Sequence, residues 1–382
     1  MAVSERGQVA AFGVMEVMRA AEEREAAGHE VLHLEVGQPA TSAPGGALRA
    51  AEAALRSDRL GYTTALGITP LRNRISQWYA DEYRLDVPAD RVVVTTGASG
   101  SCVLAFLALW NPGDRVGVLE PGYPCYRNDL RTFGIEPVAI AVGSGSNFRP
   151  TIAQLEAALP LDGLVIASPS NPTGTVLYHD DLAAVLSWAD RNGVSVVADE
   201  IYHGCTYDRP APSALGLAPS GGDVVVMNSF SKYFSMTGWR LGWIVAPEAL
   251  VTPLERLSQN LTIAPPTLSQ IAGLAAFDCK DQLEANVEQY RTNRQILLEG
   301  LPTAGIDRLA PPDGAFYVWA DVSHLTEDSR ALCARWLDEL GIAVTPGIDF
   351  DPQRGHHFVR FSYARSADDM QRAMERLAGW TP

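Results

Sequence analysis

The stretch LVIASPSNPTGTVLYHDDLAAVLSWADRNGVSVVADE, residues 164–200, decides the fold that we predict for this chain. It begins with an apolar, β-branched run at 164–168 and ends with another at 194–199, and both runs are typical of buried strands. An amphipathic stretch at 182–190 lies between them, and the Asn192-Gly193 pair after it is a common helix stop. A strand, a helix and a second strand in this order indicate a parallel β-sheet that is covered by helices.

The same alternation continues on both sides of this stretch. Five further strands are predicted at 91–96, 115–119, 137–142, 224–228 and 241–246. We therefore expect an α/β protein with a three-layer α/β/α domain, in which one mostly parallel sheet of seven strands lies between two layers of helices.

The two ends of the chain have a different pattern, which mixes helices and strands. A helix is predicted at 14–26, because Val14, Val17, Met18 and Ala21 share one face. The elements predicted after residue 276 lie at 282–301, 314–320, 326–340, 342–345, 358–363 and 367–378. The last of them follows Ser366, and Ser366 and Asp369 have the spacing of a helix N-cap. We predict a large domain at 46–285 and a smaller, discontinuous α+β domain at 1–45 and 286–382.

Composition argues against several classes of protein. The formal net charge of -15 argues against a nucleic-acid partner, because phosphate backbones recruit basic surfaces. No apolar run approaches the ~20 residues that span a bilayer, and the short apolar patch between Glu5 and Glu16 has no clear cleavage site for a signal peptide. The five cysteines form no CxxC pair, and His356-His357 has no matching ligand cluster. We expect a cytoplasmic protein without a metal site.

Polar residues follow directly after five of the predicted strands. In an open parallel sheet, ligands bind at the edge formed by the carboxyl ends of the strands. The segments at this edge are TGASG at 96–100, PGYP at 121–124, SNPTG at 170–174, DEIY at 199–202 and SFSK at 229–232. They bring a helix start, an aromatic ring, an amide, a carboxylate with a phenol, and an amine to one place.

One part of this set suits a phosphate and an aldehyde. A helix that starts among small residues offers free backbone N–H groups to a phosphate. Ser229 can add a hydroxyl, and Arg240 can add a bidentate guanidinium, to the same anion. Lys232 lies between them in the sequence and can form an imine with an aldehyde.

The other part suits a pyridine ring. Asp199 can pair with a protonated ring nitrogen and keep the ring electron-withdrawing. Asn171 and Tyr202 can hydrogen-bond a phenolic oxygen, and Tyr123 offers a ring face for stacking. Both parts together predict a binding site for pyridoxal 5'-phosphate.

The stretch SFSKYFSMTGWRLG at 229–242 resembles the lysine signature of the class I/II aminotransferases, which are fold type I pyridoxal-phosphate enzymes. Other segments resemble the family in the same order, namely VGQP at 36–39, GYT at 61–63, PGYP at 121–124, NPTG at 171–174, DEIY at 199–202 and VRFSYA at 359–364. The resemblance runs from about residue 30 to 365. It implies an enzyme that moves an amino group from an L-amino acid to a 2-oxo acid by a ping-pong mechanism.

The resemblance also implies roles for the residues around the cofactor ring. Lys232 would hold the cofactor as a Schiff base and later carry the substrate proton. Asp199 would pair with the pyridine nitrogen, while Asn171 and Tyr202 would bind the ring hydroxyl. Tyr123 would stack on the ring.

Further implied roles concern the phosphate and the substrate. The groups that would hold the phosphate are the helix start at Gly97, Ala98 and Ser99, the Ser229 hydroxyl and the Arg240 guanidinium. Tyr62 would reach the same phosphate from a second subunit, which implies a homodimer. Arg360 would bind the substrate α-carboxylate with help from Asn171 and the Gly37 backbone. The Asn171–Pro172 bond, and with it Glu120–Pro121, is expected to be cis.

Each of these residues also has an ordinary structural interpretation. Lys232 taken alone reads as a surface lysine, and Asp199 as the cap of a following helix. Tyr62 could be a packing aromatic, and Arg360 could pair with one of the many carboxylates. His203, next to Tyr202, is interpreted as a packed histidine and Ser231 as a structural serine.

Two other functions remain open at this stage. A C–S lyase or another amino-acid lyase would share the cofactor residues, so these motifs separate it poorly from an aminotransferase. A non-catalytic effector-binding protein of a transcription regulator would need a DNA-binding region, and the chain has no basic segment before residue 30. The donor is predicted to be neutral or aromatic rather than dicarboxylic, because Leu107 stands where some relatives that use acidic substrates carry lysine.

Overall fold

A seven-stranded β-sheet forms the centre of the computed structural model, which describes residues 3–57, 59–219 and 224–381. The strands in chain order are β1 Leu32–His33, β2 Val92–Thr95, β3 Arg115–Glu120, β4 Glu136–Ala141, β5 Gly163–Ala167, β6 Ser195–Asp199, β7 Val224–Ser229, β8 Gly242–Val245, β9 Tyr317–Asp321, β10 Ile342–Ala343, β11 Thr345–Pro346 and β12 Phe358–Ser362. The α-helices are α1 Gly13–Ala26, α2 Gly45–Ser57, α3 Thr69–Tyr83, α4 Gly97–Leu109, α5 Pro124–Phe133, α6 Ile152–Ala158, α7 His179–Asn192, α8 Glu248–Leu261, α9 Thr267–Ala276, α10 Lys280–Thr303, α11 Ser329–Leu340 and α12 Ala367–Ala378.

The central sheet has the strand order β2-β8-β7-β6-β5-β3-β4. Strand β8 runs antiparallel to both of its neighbours, and the other neighbouring pairs are parallel. The prediction of seven strands in one mostly parallel sheet is therefore confirmed. Because β2 and β3 to β7 all point the same way, their carboxyl ends lie along one edge.

Alternate residues of β6 face opposite layers of helices. Val197 packs with residues of α4, α5 and α8 on one side of the sheet. Val196 and Ala198 pack with residues of α6 and α7 on the other side. Since successive side chains of a strand point to opposite faces, a run of small and β-branched residues serves both layers. The three-layer arrangement is confirmed.

The second part of the fold is built on a smaller antiparallel sheet with the order β11-β12-β9. The strand predicted at 342–345 is wrong as a single element, because the chain there forms β10 and β11 in two different sheets. Pro346 has no backbone N–H to donate, so β11 can only be an edge strand. Helix α11 begins three residues later than predicted, since Asp328 caps it by accepting from the backbone N–H of Arg330 and Ala331. The Ser366 cap is present as predicted.

Strand β1 pairs in parallel with β10, which joins the N-terminal segment to the C-terminal part of the chain. This pairing supports the division into domains at 46–285 and at 1–45 with 286–382, which stays a prediction. Helix α10 is continuous across the proposed boundary at 285–286. None of the helices in the described residues is both long and apolar enough to cross a lipid bilayer.

Candidate functional site

A cavity of about 410 Å³ opens at the carboxyl edge of the central sheet. Its volume lies within the range of small-molecule sites, roughly 300–1,000 Å³. Most of the predicted site residues line it, namely Gly37, Ala98, Ser99, Tyr123, Asn171, Asp199, Tyr202, Lys232, Arg240 and Arg360. The two peptide bonds predicted to be cis, Glu120–Pro121 and Asn171–Pro172, are both cis. The structure therefore brings the strand-end residues together as the sequence indicates.

Lys232 lies in the turn after β7, and its amine points into the cavity. Its Nζ donates a hydrogen bond to the Gly37 carbonyl at 2.6 Å. Burial, and then the positive charge of Arg360, lower the pKa of this amine to about 8. An amine with this pKa is partly neutral near neutral pH and can act as a nucleophile or a base. The interpretation of Lys232 as a surface lysine is wrong.

Asp199 ends β6 and is 4% exposed. One carboxylate oxygen accepts from the backbone N–H of Ile201 at 2.9 Å, and the other accepts from the Tyr126 hydroxyl at 2.5 Å. Burial raises the pKa of Asp199 to about 6, although both hydrogen bonds act in the opposite direction. A turn follows β6 rather than a helix, so the helix-cap interpretation is wrong. A cation in the cavity would stabilise this carboxylate in its charged form.

Arg360 projects from β12 and is 2% exposed. It donates to the Asn171 side-chain oxygen at 2.9 Å and to the Glu35 carbonyl at 2.5 Å, and its guanidinium lies 4.4 Å from the centre of the Tyr317 ring. Its Nε has no hydrogen-bond partner, and no carboxylate of the described residues pairs with it. A buried guanidinium without a carboxylate is costly, which indicates a site for an anionic ligand.

The start of α4 and the Arg240 guanidinium lie together and suit an anion. Gly97 has a φ of +83°, and a Cβ added there would lie 2.6 Å from the Arg240 Nη2. Glycine at this position therefore lets the guanidinium approach the helix start. Ala98 and Ser99 form the first turn and line the cavity. Unpaired N–H groups and the positive end of the helix dipole point to the same place.

Ser229 differs from the prediction, because its side chain does not line the cavity. Strand β7 continues through Ser229, one residue further than predicted, and pairs it with Gly242 of β8. The side chain is therefore 1% exposed, and its hydroxyl lies 2.9 Å from that of Ser231 and 3.1 Å from the Leu241 carbonyl. Ser231, which was interpreted as structural, lines the cavity instead.

Tyr62 lies outside the cavity of its own chain and is 84% exposed. The loop that carries it is held at its base, where the Gly61 carbonyl accepts from the Thr267 hydroxyl and the Thr63 hydroxyl accepts from Gln270. The interpretation of Tyr62 as a packing aromatic within one chain is therefore wrong.

His203 lies behind the site rather than in the cavity wall. It is 2% exposed, and its Nδ1 lies 2.7 Å from the Tyr83 hydroxyl. Burial lowers the pKa of His203 to about 3 and raises that of the neighbouring Glu200 to about 8, so both are uncharged near neutral pH. This agrees with the interpretation of His203 as a packed residue.

The outer wall of the cavity is mainly apolar. It includes Phe12 and three residues of α1, which are Val14, Met15 and Met18. The cations among the lining residues are Lys232, Arg240 and Arg360, and the remaining charged residue besides Asp199 is Asp129. Burial raises the pKa of Asp129 to about 6. Leu107 lies on α4, is 37% exposed and is absent from the cavity wall.

Sequence reasoning missed several residues that contact the site. The Tyr317 hydroxyl lies 2.7 Å from that of Tyr202, and Tyr126 donates to Asp199. The spacing of Tyr123 and Tyr126 is a usable signal, because residues three apart share one face of a helix. Tyr317 comes from the smaller sheet, and its position depends on how the two parts of the fold pack.

Comparisons with known proteins all find aminotransferases, and their matches cover almost the whole chain. Residues 29–377 match the family described as aminotransferase class I and II. The chain is 48% identical to the valine–pyruvate aminotransferase of Mycobacterium tuberculosis, over 100% of this chain and 98% of that protein. An aminotransferase crystal structure from M. tuberculosis superposes with a TM-score of 0.96 at 46% identity, over 100% and 99% of the two chains. The structure of the aspartate aminotransferase from Thermus thermophilus with maleate superposes with a TM-score of 0.93 at 32% sequence identity, over 99% of each chain.

Proposed function

The chain belongs to the class I and II aminotransferase family, and from this premise we propose that it transfers the amino group of a neutral, apolar L-amino acid to a 2-oxo acid with pyridoxal phosphate. The alternative of an amino-acid lyase is not favoured, since the named relatives are aminotransferases. The observation that carries the proposal is the meeting of Lys232, Asp199 and Arg360 in one cavity.

The cavity fits pyridoxal phosphate at both ends. The start of α4, Arg240 and the Ser231 hydroxyl, which Ser229 contacts from behind the cavity wall, suit the phosphate. Asp199 suits the pyridine nitrogen, because a buried carboxylate with a raised pKa gains most from a cationic partner. When bound, this cofactor supplies an aldehyde that takes up the amino group and a ring that withdraws electrons from the α-carbon of the donor.

The protein's own groups hold and move the parts of the substrate. Arg360 binds the α-carboxylate of the donor, and the Asn171 amide fixes the guanidinium from the side. The Lys232 Nζ takes the proton from the α-carbon of the donor and would pass it to the cofactor carbon that keeps the amino group, since its lowered pKa leaves it partly neutral. Tyr202 and its partner Tyr317 present a buried pair of hydroxyls in the cavity wall, where Tyr202 would bind the ring hydroxyl of the cofactor. These groups come from different elements of the fold, which fixes their relative positions before substrate binds.

An apolar donor is supported by the charges and by the wall of the cavity. Lys232, Arg240 and Arg360 already serve the amine, the phosphate and the α-carboxylate, so no cation among the described lining residues is left for a second carboxylate. Phe12, Val14, Met15 and Met18 offer an apolar surface. The relative that is 48% identical is named for valine and pyruvate.

We expect valine, alanine and phenylalanine to load the cofactor with the amino group faster than aspartate and glutamate, by at least about tenfold in kcat/KM. The measurement is the absorbance change of the cofactor with each amino acid alone, followed by its reversal with pyruvate. Release of oxo acid without loading of the cofactor would instead indicate a lyase. A preference for aspartate would refute the apolar donor and would require a further cation, which the described lining residues do not supply.

A homodimer with two shared sites is the second part of the proposal. Tyr62 is 84% exposed on a loop that is fixed at its base. Other large apolar side chains are exposed as well, namely Leu48, Leu55, Leu261 and Ile263. Leu48 and Leu55 are seven residues apart on α2 and share one of its faces, and a large exposed apolar patch often marks a protein interface. We propose that this surface meets a second copy of the chain and that Tyr62 reaches the phosphate in the partner's site.

Mixing two inactive variants tests this arrangement. Lys232→Ala and Tyr62→Ala dimers, dissociated and reassociated together, form mixed dimers in which one site carries both lesions and the other carries neither. We expect about a quarter of wild-type activity from an equal mixture, since half of the dimers are mixed. The control mixes Lys232→Ala with Arg360→Ala, which lie in the same subunit's site and cannot complement. A fully active monomer in sedimentation analysis would refute the shared site.

The five cysteines of this chain are all free thiols. Free thiols persist in reducing compartments, whereas secreted proteins commonly form disulfides. We therefore propose that the enzyme works in the cytoplasm, and fractionation of cells that carry the protein tests this location.

A further inference from the structure

The first turn of α1 forms one side of the cavity, and its position is therefore part of the site. Val14 and Met15 line the cavity from this turn, and the Phe12 ring meets the Tyr123 ring edge-on with centroids 6.0 Å apart. These are the apolar side chains that a donor's own side chain would meet. Any shift of this turn changes the size of the cavity.

The turn is not held by a local cap. Phe12, the N-cap residue of α1, makes no hydrogen bond with its side chain. Instead the Asp349 carboxylate accepts from the backbone N–H of Val14 at 3.1 Å, across 335 residues of sequence. Asp349 is 8% exposed, and a carboxylate at this end of a helix also interacts favourably with the helix dipole.

Gly13 completes this contact by leaving room for the carboxylate. A Cβ at Gly13 would lie 2.5 Å and 2.6 Å from the two carboxylate oxygens of Asp349. The backbone of Asp349 is held as well, because its carbonyl accepts from the Arg127 guanidinium. Arg127 in turn lies 3.8 Å from Glu120, at the end of β3.

The neighbour of Asp349 contacts the other end of the substrate site. The Phe350 ring lies 4.7 Å from the guanidinium of Arg360, the proposed holder of the α-carboxylate. Phe350 contacts Arg360 through its ring, and Asp349 accepts a hydrogen bond from α1. These two successive residues therefore connect the group that would bind the α-carboxylate of the donor to the apolar wall of the cavity. This arrangement fixes the distance between a donor's carboxylate and the surface that its side chain meets.

We propose that Asp349 is a positioning residue that holds the first turn of α1 in place and thereby sets the preference for larger apolar donors. The inference rests on the proposed function and deepens it. Asp349 is not part of the cavity wall, and it acts through Val14 and Met15, which are. Its loss should therefore weaken binding of donors that reach this wall more than binding of donors that do not.

The test compares valine with alanine as amino donors of the holoenzyme. We expect Asp349→Ala to raise KM for valine about tenfold with kcat nearly unchanged, and to change KM for alanine less than about twofold. Asp349→Asn keeps an acceptor oxygen and should fall between the wild type and Asp349→Ala. Gly13→Ala should resemble Asp349→Ala, because the new Cβ displaces the carboxylate.

A double-mutant cycle separates the positioning role of Asp349 from a general loss of stability. In the Asp349→Ala background, Gly13→Ala should add nothing, since the group it collides with is gone. The matched control is Asp338→Ala, which removes the exposed contact of Arg24 with Asp338 at the other end of the same helix, at 3.3 Å, and should leave both KM values unchanged.

Several outcomes would overturn the inference. It is wrong if valine and alanine are affected equally by Asp349→Ala, or if Gly13→Ala keeps its full effect in that background. If Asp349→Ala does not fold, Asp349→Asn and Gly13→Ala decide by the same valine-to-alanine ratio. Failure of the wild type to load its cofactor from either amino acid would refute the proposed donor class instead, which keeps the two failures distinct.

Discussion

Replacing Lys232 with alanine is expected to abolish amino transfer, because the covalent anchor of the cofactor and the group that moves the α-proton are lost together. The chain offers a matched control, since Lys232 and Lys280 are its only two lysines. Lys280 is exposed, pairs with Glu82 at 2.5 Å and is not part of the cavity wall. Lys280→Ala should therefore keep wild-type turnover.

Borohydride reduction of the holoenzyme should fix the cofactor on the peptide that contains Lys232. With only two lysines in the chain, peptide mapping gives an unambiguous answer. Label on Lys280, or measurable turnover in Lys232→Ala, would contradict the assignment.

The pH dependence of reconstitution gives a further measurement of Lys232. Its pKa is lowered to about 8 by burial and by Arg360, so the amine is protonated below pH 8 and neutral above it. Reconstitution of the apoenzyme should become faster with rising pH, reach half of its maximum rate near pH 8 and level off above that pH. The rate of an unperturbed lysine would continue to rise to about pH 10.4.

Replacing Asp199 with asparagine is expected to leave the cofactor bound and to slow the removal of the α-proton severely. Lys232 and the phosphate end are intact in this variant, so binding persists. An amide cannot stabilise a charged pyridinium as a carboxylate does, and the loss of such a fixed group costs at least roughly 10²–10³-fold in rate. Single-turnover kinetics with an α-deuterated donor should show a slower step with a larger isotope effect.

The adjacent residue provides the control for Asp199. Glu200 is also buried, and burial raises its pKa to about 8, so it is mostly protonated at neutral pH. Its side chain accepts from the backbone of Ala214 and from Ser213, outside the cavity wall. Glu200→Gln should therefore change the single-turnover rate little. Wild-type speed in Asp199→Asn would refute the role of Asp199 in stabilising the ring.

Local sequence patterns were enough to predict most of the sheet and the centre of the site. The strands around 164–168 and 194–199 follow from β-branched runs, and the helix between them follows from its period and from the stop at Gly193. Residues that end parallel strands share one edge, so Asn171, Asp199 and Lys232 could be placed together without knowing the packing. The backbone N–H groups that would hold the phosphate could be predicted in the same way, because the start of a helix is also a local feature.

Contacts between distant parts of the chain were decided only by the tertiary structure. Asp349 caps α1 across 335 residues, and Tyr317 reaches Tyr202 from a different sheet. Neither pairing has a local periodicity that a sequence pattern could reveal. Whether Ser229 or Ser231 faces the cavity depends on where β7 ends, because Ser229 is still paired with Gly242 in the sheet whereas Ser231 lies in the turn after the strand. The sequence by itself determined which chemical groups gather at the carboxyl edge of the central sheet. The packing of the central sheet against the smaller antiparallel sheet determined which atoms of those groups face the cavity and which residues surround them.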